Sequence, residues 1–328
     1  MNIRDLKVND IVPLPPKPKP ETEIMATWKG DVSKPLVSIL CPTYNHVNYI
    51  SDTLNGFLIQ ETDFPFEIII NDDASTDGTT EIVKKYAEVY PNIIIPIIQD
   101  ENQWSKGVRP RTVLHPKARG KYIAICEGDD YWLDKHKIAK QLSALEADEN
   151  TVMTYHHAIC IDKNGLVVDF HKASESGYSR KELKKSPFVP TLTRLYRNKD
   201  YPWLKEASLP IAGDIVQTTY LSRFGGARFV DEIIPSVYRQ HEGGVWSQKS
   251  EIEKRRITVE ALLFIAERYE LESDSDGKIY FLNRAIINSL DKTSAKEMVI
   301  ITINILRITF KKIRKHGRWK IKKLFKLS

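Results

Sequence analysis

Glu127, Asp129 and Asp130 crowd into one short segment, Glu127–Trp132, directly after the apolar run Tyr122–Cys126. The order reads as a buried strand that ends in a burst of acid. Crowded carboxylates resist ionising together, and a hard divalent ion with oxygen ligands and bound phosphates is the usual relief. The same residues also read as a polar turn or the cap of a following helix. The acids alone leave these two readings level.

The elements that would carry such a site follow from the pattern upstream. Apolar runs at 36–41, 66–71, 93–99 and 121–126 alternate with amphipathic stretches at about 49–60 and 79–90. Short, fully apolar strands between helices imply a buried, mostly parallel sheet, doubly wound, with ligands beyond the carboxyl ends of its strands. Polar residues follow three of these strands at once. Pro42, Thr43, Tyr44 and Asn45 follow the first, Asp72 to Thr79 the second, and the acidic burst a third. These clusters should converge on one edge of the sheet.

With 41% hydrophobic and 28% charged residues over 328 positions, the chain has a globular composition and length enough for a full core. Cys41, Cys126 and Cys160 lie far apart in strand-like segments without metal-ligand spacing, as buried, reduced thiols of a cytosolic protein would. No secretory leader pattern is evident at the start, where the segment from Pro13 to Pro20 has polyproline character instead. Residues 1–34 are expected to form a weakly structured arm, pinned by Trp28.

The net charge of +6 is carried by the end of the chain, because residues 311–328 hold nine Lys/Arg and no acid. Without them 40 basic residues face 43 acidic ones, so the body is mildly acidic. In the tail, Ile321, Leu324 and Phe325 share a helical face among lysines. Such a helix can lie on an anionic membrane, or it can pack on the body with its lysines solvated. Nucleic acid is disfavoured, since no nucleic-acid motif accompanies the charge. The apolar segment Met298–Phe310 is interrupted by Asn304 and Arg307 and is not expected to span a membrane.

Three segments in this order, VSILCPTYN at 37–45, IINDDASTDGT at 69–79 and GKYIAICEGDDYW at 120–132, resemble the family 2 glycosyltransferases of the GT-A fold. The likeness covers about residues 35–247. It implies an α/β catalytic domain at 35–248, with a nucleotide-binding half at 35–132 and an acceptor half at 133–248. A helical region with the basic tail would follow at 249–328.

The resemblance also implies roles. Pro42, Thr43, Tyr44, Asn45, Asp72 and Asp73 match the nucleotide pocket, with Asp73 favoured for the base and Ser75 or Asp77 left to cap the next helix. Arg111 matches a basic residue near the base or diphosphate, with Arg109 as its competitor because Gly107–Thr112 departs from the family pattern. Glu127, Asp129 and Asp130 match the acidic motif, with Glu127 in place of the usual first aspartate. Asp129, Asp130 and His241 are the implied ligands of Mn²⁺ or Mg²⁺, Arg239 an implied phosphate contact, and Asp214 the implied catalytic base.

The expected function is inverting transfer of a hexosyl or N-acetylhexosaminyl group. The donor would be a nucleoside-diphosphate sugar, of the uridine type, and the acceptor a hydroxyl of a glycan or glycolipid. Bacterial polysaccharide assembly at the inner face of the cell membrane is the implied setting. The alternatives are a catalytically silent nucleotide-sugar binder and a membrane adaptor working through its tail. A nucleotidyltransferase would need a Gly-rich activating loop, and none follows the first strand.

Overall fold

Residues 6–206, 208–244, 246 and 248–290 are described by the computed structural model, so the basic tail and both readings of it lie outside the described residues. The chain forms two compact units. Of the described residues, one comprises those up to Leu209 with those of Gln217–Gln248, and the other Pro210–Val216 with those from Lys249 to Leu290.

In the first unit the apolar, β-branched runs form the strands β1 (Val37–Thr43), β2 (Phe66–Asp72), β3 (Ile94–Ile98) and β4 (Tyr122–Ile125). Those of β1, β2 and β4 are buried on both faces, and that of β3 lies at the sheet's edge. The helices up to this point are α1 (Glu21–Met25), α2 (Ile50–Leu58), α3 (Thr79–Val89) and α4 (Pro110–Leu114). Then come α5 (Lys137–Glu146), β5 (Thr151–Tyr155), β6 (Ala158–Ile161), β7 (Val167–His171) and α6 (Arg180–Lys184). After these come β8 (Leu195–Arg197), α7 (Gly213–Leu221), β9 (Gly226–Phe229) and β10 (Ser236–Arg239).

The main sheet runs β3-β2-β1-β4-β8-β5-β9, and β10-β6-β7 form a second, smaller one. β1 to β4 are mutually parallel where they pair, β8 is antiparallel to both neighbours, and β5 pairs parallel with β9. Thr43 stands opposite Asp72, and Leu40 lies between Ile69 and Ile125. This register brings the three polar clusters to one sheet edge. The expected doubly wound, mostly parallel sheet flanked by helices is the observed one.

Residues 6–34 have little regular structure beyond α1, yet they are anchored. Leu6 and Val12 are buried beside Tyr131, Ile159 and Val237, and the Asn9 N–H donates to the Val167 carbonyl at 2.8 Å. Trp28 meets Phe66 edge to face at 5.2 Å. The anchoring depends on apolar residues spaced among polar ones, which match a sheet face rather than a periodicity of their own.

In the second unit, α8 (Glu251–Leu271) begins with a capping box between Ser250 and Glu253 and is followed by α9 (Ser275–Leu290). Tyr269 stacks on Phe281 at 5.6 Å. Gly277 leaves room for that ring, since a Cβ there would stand 2.6 Å from Tyr269. Among the described residues no helix is long and apolar enough to cross a membrane.

Candidate active site

The loop after β4 is held from below. The buried hydroxyl of Thr53, on α2, lies 3.0 Å from the Gly128 carbonyl and 2.7 Å from that of Asp130. Gly56, one helical turn on, allows α2 to meet the loop backbone, because a Cβ there would be 2.7 Å from the Trp132 carbonyl oxygen. Trp132 is itself fixed by its indole N–H to the Leu192 carbonyl at 2.9 Å. Gly128 is equally constrained. A Cβ on it would stand 2.5 Å from Thr43 Oγ1 and 3.0 Å from His46 Nδ1.

Above this floor three side chains converge. His241 Nε2 is 3.0 Å from Asp129 Oδ2, and His46 Nε2 is 3.7 Å from the same oxygen. One ligand atom from each of His46, Asp129 and His241 can lie within 4.8 Å of the others, close enough to share one cation. The imidazoles are oriented from behind, His46 by Thr43 Oγ1 at 3.2 Å from its Nδ1 and His241 by the ring of Tyr49 at 4.7 Å.

The electrostatics favour an added positive charge. Burial and the charge of Asp129 push Glu127 up to about 7, with Arg111 pulling the other way. Asp130 is raised by burial and then by Asp129 and Glu127. Burial would also raise Asp129, but His46 and the hydrogen bond from His241 hold it below its usual range. His46 is lowered, chiefly by burial, against the pull of the Asp129 charge. The donor set of two imidazoles and a carboxylate suits a borderline ion better than Mg²⁺, which prefers oxygen.

The other residues singled out from sequence are distributed around this cluster. Asp130, expected beside the ion, is 2% exposed and accepts the Arg239 backbone N–H at 2.9 Å, so it lies outside the three-residue group. Arg239, expected at the phosphates, has its guanidinium 2.5 Å from Asp52 and held over the rings of Tyr131 and Tyr49 at 4.6 and 5.0 Å. It also donates to the Asp129 carbonyl at 3.2 Å, which makes it a clamp on the acidic loop.

Asp73 accepts the backbone N–H groups of Gln103 and Trp104 at 2.7 and 2.9 Å. Asp72 accepts from Ser75 and Thr80, and Asp77 from Thr79 and Val47. Asn45, at φ +54, accepts the Thr76 N–H at 2.9 Å, while Tyr44 is exposed. Arg111 donates to Gln217 Oε1 at 2.5 Å, and Arg109 lies over Trp104 at 4.5 Å. Asp214 stands in the first turn of α7 and belongs to the second unit.

Three participants were not singled out from sequence: His46, Tyr49 and Asp52. They recur every third residue across the loop before α2 and its first turn, which places them on one side, facing β10. That spacing, directly after the first strand-end cluster, was the available signal.

The model of the family described as glycosyl transferase family 2 matches residues 38–201. An uncharacterized protein of Mycobacterium tuberculosis is 35% identical over 215 residues, covering 64% of this chain and 60% of that protein. The poly(ribitol-phosphate) β-N-acetylglucosaminyltransferase TarS of Staphylococcus aureus is 36% identical over 97 residues, 29% of this chain and 16% of its own length. The chain thus spans less than two thirds of the length of these relatives, 60% of one and 16% of the other. Among solved structures, residues 1–349 of S. aureus TarS in complex with UDP-GlcNAc superpose with a TM-score of 0.56 at 21% identity, covering 81% of this chain and 79% of that one. This last likeness is one of fold.

Proposed function

The chain belongs to glycosyl transferase family 2, and from that premise we propose that it moves a hexosyl or N-acetylhexosaminyl group from a UDP-sugar to a hydroxyl of a glycan or glycolipid acceptor. The observation that carries the reading is the convergence of His46, Asp129 and His241 at the carboxyl ends of the parallel strands. Ligands of doubly wound folds bind at that edge. The TarS complex with UDP-GlcNAc supports the donor class, and its acceptor polymer supports a role in bacterial cell-surface glycan assembly.

In this reading His46, Asp129 and His241 would hold Mn²⁺ or a similar ion, whose positive charge would offset that of a diphosphate leaving group. Thr53 and Arg239 fix the acidic loop so that Asp129 need not reorganise. Glu127, pushed up to about 7, can donate or accept a hydrogen bond at the sugar or ribose. The strand-end loops at 42–45 and 72–77 form the nucleotide side, with Tyr44 available to a base. Asp214 takes the proton of the acceptor hydroxyl as it attacks the anomeric carbon from the face opposite the leaving group, which inverts configuration.

The test is thermal-shift screening with UDP, GDP and CDP, each with Mn²⁺, Mg²⁺ or EDTA. A ligand present at a hundredfold over its Kd stabilises by about 2.7 kcal/mol. Stabilisation by UDP with Mn²⁺ that disappears with EDTA and in Asp129→Ala is expected. A UDP shift indifferent to EDTA would overturn the ion's role, and no shift with any nucleotide would overturn the donor reading.

A further inference from the structure

The smaller sheet has two unlike faces. Val237, Ile159 and Phe170 stand opposite one another across β10, β6 and β7, and this row is packed into the cluster with Leu6, Val12 and Tyr131. The alternate positions place Tyr238, Cys160 and Asp169 in one row of the other face, and Ser236, Ala158 and His171 in the next. On that face three rings follow one another outward. Tyr238 is half-buried, His171 lies 5.4 Å from it, and Phe188 meets His171 edge-on at 5.4 Å while 60% exposed.

The inner end of this row is at the acidic loop. β10 is bonded to that loop by the Tyr131–Val237 bridge and by the Arg239 N–H to Asp130 at 2.9 Å. Tyr238 stands between the two bonded residues, partly buried against the main core, and its hydroxyl is raised by burial and then by the charges of Asp130, Asp129 and Glu127. The outer end is in solvent. Asp169, exposed on the same face, adds a carboxylate beside the rings.

We infer that Phe188, His171 and Tyr238, with Asp169 beside them, form a subsite for a pyranose ring of the acceptor glycan. The inference rests on the glycosyltransferase reading above. The C–H face of a pyranose is apolar and packs on the negative face of an aromatic ring, while its hydroxyls need acceptors such as a carboxylate. Rings interleaved with imidazole and carboxylate match that chemistry. A lipid-facing patch would instead carry aliphatic side chains with lysine and arginine. An acceptor must also approach from outside with one hydroxyl at the reacting centre, and a row running from the acids to solvent gives the rest of the chain a track.

The experiment uses the full chain with UDP and Mn²⁺. Saturation-transfer NMR is recorded on the methyl glycosides of glucose, galactose, N-acetylglucosamine and mannose. At least one should show saturation at its ring C–H protons, weakened about three- to tenfold in Phe188→Ala and His171→Ala and regained in Phe188→Tyr. The UDP-induced thermal shift should be the same in every variant. If UDP still shifts the protein but no glycoside is saturated, or Phe188→Ala saturates as the native chain does, the subsite is overturned and the donor reading stands. If no nucleotide shifts the native chain, the glycosyltransferase reading itself has failed. Phe188-dependent sedimentation with vesicles of phosphatidylcholine and phosphatidylglycerol would overturn the subsite in favour of a lipid contact.

Discussion

Substituting Gly128 by alanine tests whether the acidic loop and His46 are held as one unit. The new Cβ would stand 2.5 Å from Thr43 Oγ1, 2.7 Å from Thr43 Cβ and 3.0 Å from His46 Nδ1. Thr43 cannot swing aside easily: it is β-branched, 3% exposed, and within hydrogen-bonding distance of the His46 ring. Either the loop lifts or the Thr43–His46 pair is pushed away. Overpacking of this kind costs about 1–3 kcal/mol, which for a domain of this size lowers Tm by about 2–12 °C. The larger effect should be on the ion. Displacing a ligand's support typically costs about 10–100-fold in metal affinity. Calorimetric titration of Mn²⁺ into the UDP-saturated protein measures it. Gly165→Ala is the control, since that site has no neighbour within 4 Å and only the strain of φ +81 to bear. It should lose about 1–2 kcal/mol of stability and no ion affinity. Native Mn²⁺ affinity in Gly128→Ala would refute the coupling of loop and imidazole.

Asp214→Asn should abolish sugar transfer while leaving the Mn²⁺-dependent UDP shift intact, and full transfer by this variant would remove Asp214 from the base role. Arg239→Lys should cost about 1–3 kcal/mol in urea unfolding, because an ammonium cannot pair with Asp52, reach the Asp129 carbonyl and lie on two rings together. Unchanged stability would show that the clamp is dispensable. Lys137 is fully buried, with its ammonium 2.7 Å from Gln141 Oε1 and 3.9 Å from the Trp132 ring centre, and burial lowers it from 10.5 to about 7. Between those values the unfolded chain binds a proton that the folded chain refuses, so stability rises with pH by up to about 1.4 kcal/mol per unit. Lys137→Met should flatten that slope from pH 7 to 10.5 in denaturant titrations, and a slope unchanged by the substitution would refute the assignment.

The sheet was legible because its strands are apolar on both faces and bounded by turn chemistry. Periodicity alone therefore located β1, β2, β3 and β4 to within a residue or two. The acidic loop was legible for a different reason, that its composition is expensive without a partner. What it bonds to was not. Whether Asp130 faces an ion or a backbone amide depends on where β10 arrives, more than a hundred residues later. Arg239 was given a phosphate role by the resemblance of its segment, and its pairing with Asp52 depends on α2 and β10 meeting, which no local pattern announces. The N-terminal segment reads as a weakly structured arm pinned by Trp28, and its further anchoring was not legible because the sheet face that receives Leu6 and Val12 is contributed by the distant β6, β7 and β10.

His46, Asp129 and His241 come from three distant stretches of one chain. During synthesis the first two emerge well before the third, so a nascent β1–β4 half carries the carboxylate without the group that completes its set. The half-made chain would therefore have little hold on a free ion, and capture would wait until β10 has docked beside β6. Under the proposed function ion binding would then be a late event, stabilising contacts made after the first half has formed. It should slow unfolding far more than it speeds folding.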